Sequence, residues 1–309
     1  MMKSIKRGIF LIFAMLALTS CKKDNADETP VVPDRDRGEV QMESDSTITS
    51  YLSTHYYNYE EFDTPPEGFD YQIKFGERKG DNADKRSLAE DVKEQTFNFQ
   101  DVDYKLYTLV VREGEGRQAT YADSVFMNYN GRLFTDERFD GSTTPLWFNL
   151  PGVLTSSGIS GNAVFGFANG VSSFKGASEI GQNDDGTLKF SNDYGIGAIF
   201  IPAGLAYFSL AQGSIPAYSS IMFTIDLYDV VENTDGDHDG VPNIIEDLNK
   251  NNTLLDDDTD GNFAQNFVDQ DDDGDGILTR DEIIINTDGS IEYPDTDGDK
   301  IPDYLDADS

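Results

Sequence analysis

The stretch from residue 199 to residue 230 constrains the fold of this chain more than any other part of the sequence. It predicts two β-strands joined by a loop that is rich in aromatic residues and proline. The first strand, residues 199–201, stops at Pro202, because proline has no N–H to donate to a sheet ladder. In the second strand, residues 220–230, apolar and polar residues alternate, so we expect one of its faces to be buried.

Three segments upstream accompany this stretch in a fixed order: MNYNG at 127–131, RFDGS at 138–142 and GFANGV at 166–171. Together with the later IP-x-x-LAY and IP segments, they resemble the FKBP-type peptidyl-prolyl isomerases over residues 104–232. The resemblance implies an α+β fold, in which an antiparallel sheet wraps on one short helix. We expect a small helical N-terminal extension before this domain and calcium-ordered acidic repeats after it.

The resemblance also implies a prolyl pocket, made of an apolar cup and a few polar groups. Isomerisation needs no nucleophile, metal or cofactor, because the barrier of about 20 kcal/mol arises from amide resonance and falls when the twisted amide is bound preferentially. Phe167 stands where the family has a tryptophan, and Phe208 where it has a glycine, so we expect reduced activity. The implied pocket residues are Tyr129, Phe139, Asp140, Val164, Phe167, Tyr207, Ile215 and Phe223, with Leu146 at the edge.

The last quarter of the chain is strongly acidic. Residues 232–309 hold 25 Asp or Glu and 3 Lys or Arg, in a chain of formal net charge −35. This charge argues against binding to nucleic acid or to an anionic lipid surface. Such a segment repels itself unless cations neutralise it. It could be a solvated disordered tail, but the regular spacing of its carboxylates favours metal binding.

The spacing follows D-x-D-x-D-G with a further acid at position 12, which wraps roughly six to eight oxygen ligands around one calcium ion. The loops abut or overlap, so they resemble thrombospondin type-3 repeats more than paired EF-hands. This implies structural Ca²⁺ and a thin, metal-dependent apolar core of Ile244, Ile245, Leu278 and residues 283–285. Lys300 weakens the last loop, because it takes the place of the glycine. The predicted ligands are Asp235, Asp237, Asp239, Asn243, Glu246, Asp258, Asp260, Asn262, Asp269, Asp271, Asp273, Asp275, Glu282, Asp295, Asp297, Asp299 and Asp306.

The amino end resembles a bacterial lipoprotein signal. Basic residues precede an apolar run at residues 8–18, which is too short to span a bilayer, and LTSC at 18–21 resembles a lipoprotein box. We therefore expect a signal peptide over residues 1–20, lipidation at Cys21, and attachment to a membrane of the cell envelope, the outer membrane on its periplasmic or surface face. The alternative is an ordinary signal peptide with an incidental cysteine.

The segments between these landmarks complete the predicted organisation. We expect a flexible tether over residues 21–42, an N-terminal extension over 43–103, the FKBP-type domain over 104–232 and the repeats over 233–309. Asp45 or Ser46 is the expected cap of a helix in the extension, and strand fragments are expected at 71–75. Asn183 to Gly186 carry a turn signal, which predicts a hairpin.

The resulting functional hypothesis is a lipid-anchored prolyl isomerase that acts on proline-containing segments of exported proteins. A second hypothesis is a non-catalytic peptide-binding or adhesion lipoprotein, and a third is a surface spacer. Calcium is expected to order a stalk without a large effect on turnover.

Overall fold

The computed structural model describes residues 33–309, of which residues 35–309 form one compact unit. Cys21 and the predicted signal peptide lie outside the described residues. Within the described range, every helix is too short or too polar to cross a membrane.

The described chain contains fourteen strands, four α-helices and six 3-10 turns. The strands are β1 (His55–Tyr57), β2 (Phe75–Glu77), β3 (Val92–Phe99), β4 (Val102–Arg112), β5 (Ser124–Leu133), β6 (Arg138–Asn149), β7 (Val153–Thr155), β8 (Gly158–Ser160), β9 (Ile180–Gln182), β10 (Leu188–Phe190), β11 (Gly195–Ile201), β12 (Ile221–Val231), β13 (Ile284–Ile285) and β14 (Ile291–Glu292). The α-helices are α1 (Arg37–Thr54), α2 (Tyr59–Asp63), α3 (Phe165–Val171) and α4 (Thr279–Glu282). Single 3-10 turns occur at Gly80–Asn82, Leu88–Glu90, Ala203–Leu205, Asn243–Ile245, Asn266–Val268 and Asp303–Leu305.

Six strands form a central antiparallel sheet in the order β3-β4-β11-β12-β5-β6. The two central strands, β11 and β12, contain most of the 199–230 stretch that the sequence singles out. They pair in antiparallel register, with Gly195 opposite Leu227 at one end and Ile201 opposite Ile221 at the other. Helix α3 lies close on one face: a Cβ added to Gly170 would be 2.5 Å from the Cγ2 of Ile199. The mixed fold with an antiparallel sheet agrees with the expected FKBP-like class.

Helix α1 covers the opposite face of the sheet, which corrects the prediction of a single buried face. Phe200 and Met222 are buried against Ile48 and Leu52 of α1. Both faces of β11 and β12 therefore belong to the core. The N-terminal extension is an integral layer of the domain.

Helix α1 begins earlier than expected. Its N-cap is Asp36, whose Oδ1 accepts a 2.9 Å hydrogen bond from the N–H of Glu39. The prediction of a cap at Asp45 or Ser46 is wrong, and a flexible tether cannot extend to residue 42.

The first turns of α1 hold the loop that follows β11. Val40 is buried with Ala203 and Phe208 of that loop. The guanidinium of Arg37 lies 3.9 Å from the centre of the Phe208 ring, and the N–H of Ala203 donates to Oγ of Ser44 at 3.3 Å.

Several predicted boundaries change in the structure. Strand β3 pairs with β4 along its whole length, so the sheet begins at Val92 and not at residue 104. The strand expected at 71–75 is instead β2, which pairs with β1, and the RFDGS segment begins β6. The hairpin predicted around residues 183–186 is confirmed as β9 and β10.

The acidic tail packs against the domain and is not a separate stalk. The N–H of Ser124 donates to Oγ1 of Thr234 at 2.8 Å. Leu254 and Phe267 are buried with Ala122 of the domain. The tail and the sheet therefore share an apolar interface.

The apolar core of the tail differs from the predicted one. Ile245, Ile284 and Ile285 are exposed. The predicted Ile283 is buried, in a cluster with Val241 and Tyr304 that the sequence did not predict, in addition to the interface with the domain.

Candidate functional site

The β5–β6 hairpin brings the first two polar groups of the candidate prolyl site together. The hydroxyl of Tyr129 donates a 2.8 Å hydrogen bond to Oδ2 of Asp140, whose Oδ1 accepts 2.7 Å from the N–H of Gly141. Burial, and then the neighbouring Asp140 carboxylate, raise the pKa of Tyr129 to about 12. The phenol is therefore a stable donor that fixes the orientation of Asp140.

Three phenylalanine rings form an apolar floor beside this pair. The ring of Phe223, on β12, is centred 4.7 Å from Phe167 of α3 and 5.5 Å from Phe139 of β6, both edge to face. Gly131 makes this approach possible, because a Cβ there would lie 2.6 Å from the Phe139 ring and 2.7 Å from the Phe223 ring. The close packing of the two rings explains why the last residue of MNYNG is a glycine.

Phe148 also belongs to the cup, although the sequence analysis did not select it. Its ring lies edge on to Tyr129, with centres 5.1 Å apart. Leu146, which was expected at the edge, is half-buried two residues earlier on β6. Alternation along the strand places both on one face, so the signal for Phe148 was present.

Val164 and Tyr207 close the site from the side of α3. The carbonyl of Val164 accepts hydrogen bonds from the N–H groups of Phe167 (2.9 Å) and Ala168 (3.1 Å), which fixes its backbone at the helix start. Burial, and then the charge of Asp140, raise the pKa of Tyr207. Its hydroxyl is therefore a protonated donor, and it lies near enough to Asp140 for the charge of that carboxylate to affect its pKa.

The loop that carries Ile215 is held by its own backbone and by packing. Ile215 and Gln212 exchange two backbone hydrogen bonds of 2.9 and 3.0 Å, and the Ile215 side chain is buried. Phe208 adopts φ 48°, where the resembled family has glycine; its buried ring packs edge to face on Tyr218, with centres 5.2 Å apart. Together these contacts bring all eight predicted pocket residues around one apolar cluster.

A cavity of about 510 Å³ adjoins the cup and shares Val164 and Tyr207 with it. Its inner wall includes Leu150 and Phe165, and its outer wall is residues 252–255 of the acidic tail. The sequence analysis missed this wall, because no spacing in the sequence links the tail to α3.

The five acidic loops share one backbone conformation. Positions 4 and 6 have positive φ in each, including the loops without glycine there. In the first loop, the carboxylate of Asp235, at position 1, accepts hydrogen bonds from the N–H groups of His238 (2.7 Å) and Gly240 (3.1 Å). Lys300 takes the glycine position of the last loop with φ 88°. The loops begin at Asp235, Asp247, Asp258, Asp271 and Asp295.

Four groups of three carboxylates bring their oxygens within 4.8 Å of one another in the described chain. In the most buried group, Glu246 is 1% exposed with both oxygens unpartnered, and Asp239 and Asp272 each keep one unpartnered buried oxygen. Buried carboxylates without partners are costly, and hard oxygens are the ligands that Ca²⁺ prefers. The donor set therefore fits calcium. The groups are Asp235, Asp237, Asp239; Asp271, Asp273, Asp275; Asp295, Asp297, Asp299; and Asp239, Glu246, Asp272.

Asp272 and Asn243 depart from the predicted ligand set. Asp272 lies at position 2 of its loop, where the pattern carries no signal, and reaches the first loop through folding alone. Asn243 donates to the carbonyl of Ala122 (3.1 Å) and accepts from the N–H of Gly236 (2.8 Å), so its side chain joins tail to domain and does not face an ion. Besides Asn243, the predicted ligands outside the four groups are Asp258, Asp260, Asn262, Asp269, Glu282 and Asp306.

The buried carboxyls titrate far from their usual range. Burial, and then Asp272, raise the pKa of Glu246 to about 11, while burial, and then Asp239, raise that of Asp272 to about 9. Burial, and then Asp273 and Asp275, raise the pKa of Glu282, at position 12 of the loop that begins at Asp271, to about 7. Without a cation, Glu246 and Asp272 hold protons at neutral pH.

Comparison with known proteins shows FKBP-type relatives at modest identity. The chain is 26% identical over 171 residues to the FKBP-type peptidyl-prolyl cis-trans isomerase FkpA of Escherichia coli K12 and of two other E. coli strains. The match covers 54% of this chain and 47% of FkpA, so the chain spans about half the length of these curated relatives.

Solved structures of similar proteins include two bacterial isomerases. A peptidyl-prolyl cis-trans isomerase of Pseudomonas syringae pv. tomato is 16% identical with a TM-score of 0.36, covering 65% of this chain and 100% of that one. E. coli FkpA is 21% identical with a TM-score of 0.33, covering 62% of each chain. Residues 236–294 match a family model described as BamM C-terminal.

Proposed function

We propose that this protein is a peptidyl-prolyl cis-trans isomerase that acts on proline-containing segments of exported proteins. The observation that carries the proposal is the aromatic floor of Phe139, Phe167 and Phe223 beside the Tyr129–Asp140 pair. The modest similarity to FkpA supports it.

The site would act by binding the twisted prolyl amide better than either planar form. The aromatic cup excludes water from the pyrrolidine ring, and the fixed dipoles near it favour the twisted carbonyl. Tyr207, kept protonated, is the donor suited to that carbonyl. Asp140, held by Tyr129, is the polar group beside it.

The test is a protease-free isomerisation assay of an Xaa-Pro peptide with the full chain. Phe139→Ala and Tyr207→Phe should each lower kcat/KM about tenfold or more, the equivalent of about 1.4 kcal/mol. Phe126→Ala and Tyr228→Phe are matched controls, because these rings pack together outside the cup. Equal losses in the controls, or no acceleration by the folded protein, would reject the catalytic proposal.

A peptide-binding protein without catalysis is the second candidate. The observation that favours it is the departure of Phe167 and the Phe208 loop from the family pattern. This alternative would be supported if the protein bound the peptide and left its isomerisation rate equal to the rate without protein.

Structural calcium in the acidic loops is the second part of the proposal. Its support is the buried, unpartnered oxygens of Asp239, Glu246 and Asp272. Calorimetric titration should detect calcium binding that weakens in Asp272→Asn. The exposed Asp308→Asn is the control, and equal affinity in both variants would exclude Asp272 as a ligand.

Lipid attachment at Cys21 in the cell envelope is proposed from the sequence alone. Incorporation of labelled fatty acid into the wild type, and its loss in Cys21→Ala, would support this anchor. Equal labelling of both would reject it.

A further inference from the structure

The second acidic loop, residues 247–258, faces the candidate prolyl site. Asn252, Thr253, Leu254 and Leu255 line the cavity of about 510 Å³, and Val164 and Tyr207 of the candidate prolyl site line the same cavity. A pocket of this size falls in the range of ligand sites, roughly 300–1,000 Å³. The acidic tail thus supplies one wall of the largest concave surface next to the cup.

This wall is tied to the domain by polar and apolar contacts. The hydroxyl of Tyr121 donates to Oδ2 of Asp247 at 2.5 Å, and Nδ2 of Asn169 donates to the carbonyl of Asn252 at 3.2 Å. Leu254 is 3% exposed and packs in the interface with the domain. The position of the wall therefore depends on the conformation of loop 247–258.

The conformation of the loop is set by acidic side chains that fit a cation. Asp257 is 6% exposed and its Oδ2 has no hydrogen-bond partner. Its other oxygen accepts 3.3 Å from Nδ2 of Asn249, which turns the carboxylate back into the loop. Asp247 is 3% exposed, and its carboxylate accepts the N–H groups of Asn251 and Asn252. A hard cation here would partner the one oxygen of Asp257 that is buried without a hydrogen bond.

We propose that loop 247–258 is a calcium-set wall of an extended substrate cleft, which holds the residues next to the proline of an unfolded polypeptide. This inference rests on the prolyl-site function proposed above. The occupant follows from continuity, because the cavity and the cup share Val164 and Tyr207. The lining combines apolar side chains with the amides of Asn162, Asn169 and Gln212, which suit the main chain of an extended peptide.

The experiment compares two labelled peptides by fluorescence anisotropy with the full chain. The short peptide contains the proline and its immediate neighbours, and the long peptide extends on both sides. Leu255→Asp, at a cavity residue 42% exposed, should weaken long-peptide binding about tenfold and leave the short peptide unchanged. Leu248→Asp is the matched control, since Leu248 lies on the same loop, is 40% exposed and does not line the cavity.

The calcium requirement is tested with the same peptides. Chelation and Asp257→Asn should each raise the Kd of the long peptide only, while Asp308→Asn at the exposed carboxyl end leaves both peptides unchanged. Long-peptide affinity that is indifferent to Leu255→Asp and to calcium would overturn the inference, and so would equal effects on both peptides. Calcium-dependent binding without isomerisation would support the cleft and reject the catalytic proposal, so the two failures are distinguishable.

Discussion

The stability of the calcium-free tail should fall as the pH rises. Glu246 and Asp272 have folded-state pKa values of about 11 and 9, well above their ordinary values, so the folded tail binds more protons than the unfolded tail between these limits. Their stabilising protonation is complete at acidic pH and is lost as the pH rises. At about 1.4 kcal/mol per pH unit and group, these two groups over two pH units contribute about 5 kcal/mol between pH 5 and pH 7, and Asp237 and Glu282, whose pKa values are also raised, add to the loss. Calcium should reverse this trend, because it binds the deprotonated form and releases protons.

Hydrogen–deuterium exchange of peptides from residues 233–309, corrected for the intrinsic effect of pH, measures this free energy for the tail alone. Glu246→Gln should reduce the loss between pH 5 and pH 7 in chelator by about 3 kcal/mol, the share of one group over two pH units, whereas the exposed Glu292→Gln should not change it. An opening free energy that stays constant or rises from pH 5 to pH 7 would mean that these carboxyls are not buried together.

Three further predictions concern packing and backbone strain. Leu52→Ala, at a side chain 2% exposed under the sheet, should lower the free energy of unfolding in urea by about 2–5 kcal/mol, whereas Met42→Ala on the exposed side of α1 should have little effect. Gly197→Ala should abolish cooperative thermal unfolding, because its Cβ would lie 2.3 Å from the ring of Phe174; a melt like that of the wild type would contradict the packing there. Lys300→Gly should slow hydrogen exchange in its loop by relieving about 1 kcal/mol of strain at φ 88°, and faster exchange would show that the lysine side chain stabilises the loop.

The sequence predicts the middle of the fold well, because alternation and proline positions act locally. It does not predict that the second face of the sheet is also buried. Residues 37–42 end a largely polar segment and include Gly38, so they look like a tether, yet they form the start of α1 because Val40 is buried against Ala203 and Phe208. Tertiary packing, not intrinsic propensity, decides that helix.

The same difference between local sequence patterns and long-range contacts applies to the candidate sites. Most of the cup residues are recognisable because they lie in short motifs, and the structure adds Phe148 to the predicted set. Asp272 and residues 252–255 are invisible to spacing rules, because they reach their sites through contacts between distant loops. A pattern within one loop can specify its own ligands and cannot specify which neighbouring surface the loop will meet.

The contact between α1 and the loop after β11 has a mechanical consequence. Any force applied through the residues before Arg35 enters the described chain at the start of α1, where Arg37 and Val40 hold Phe208. Phe208 is the immediate neighbour of Tyr207. Tension at the amino end would therefore act on the loop beside the candidate prolyl site before it acts on the strands.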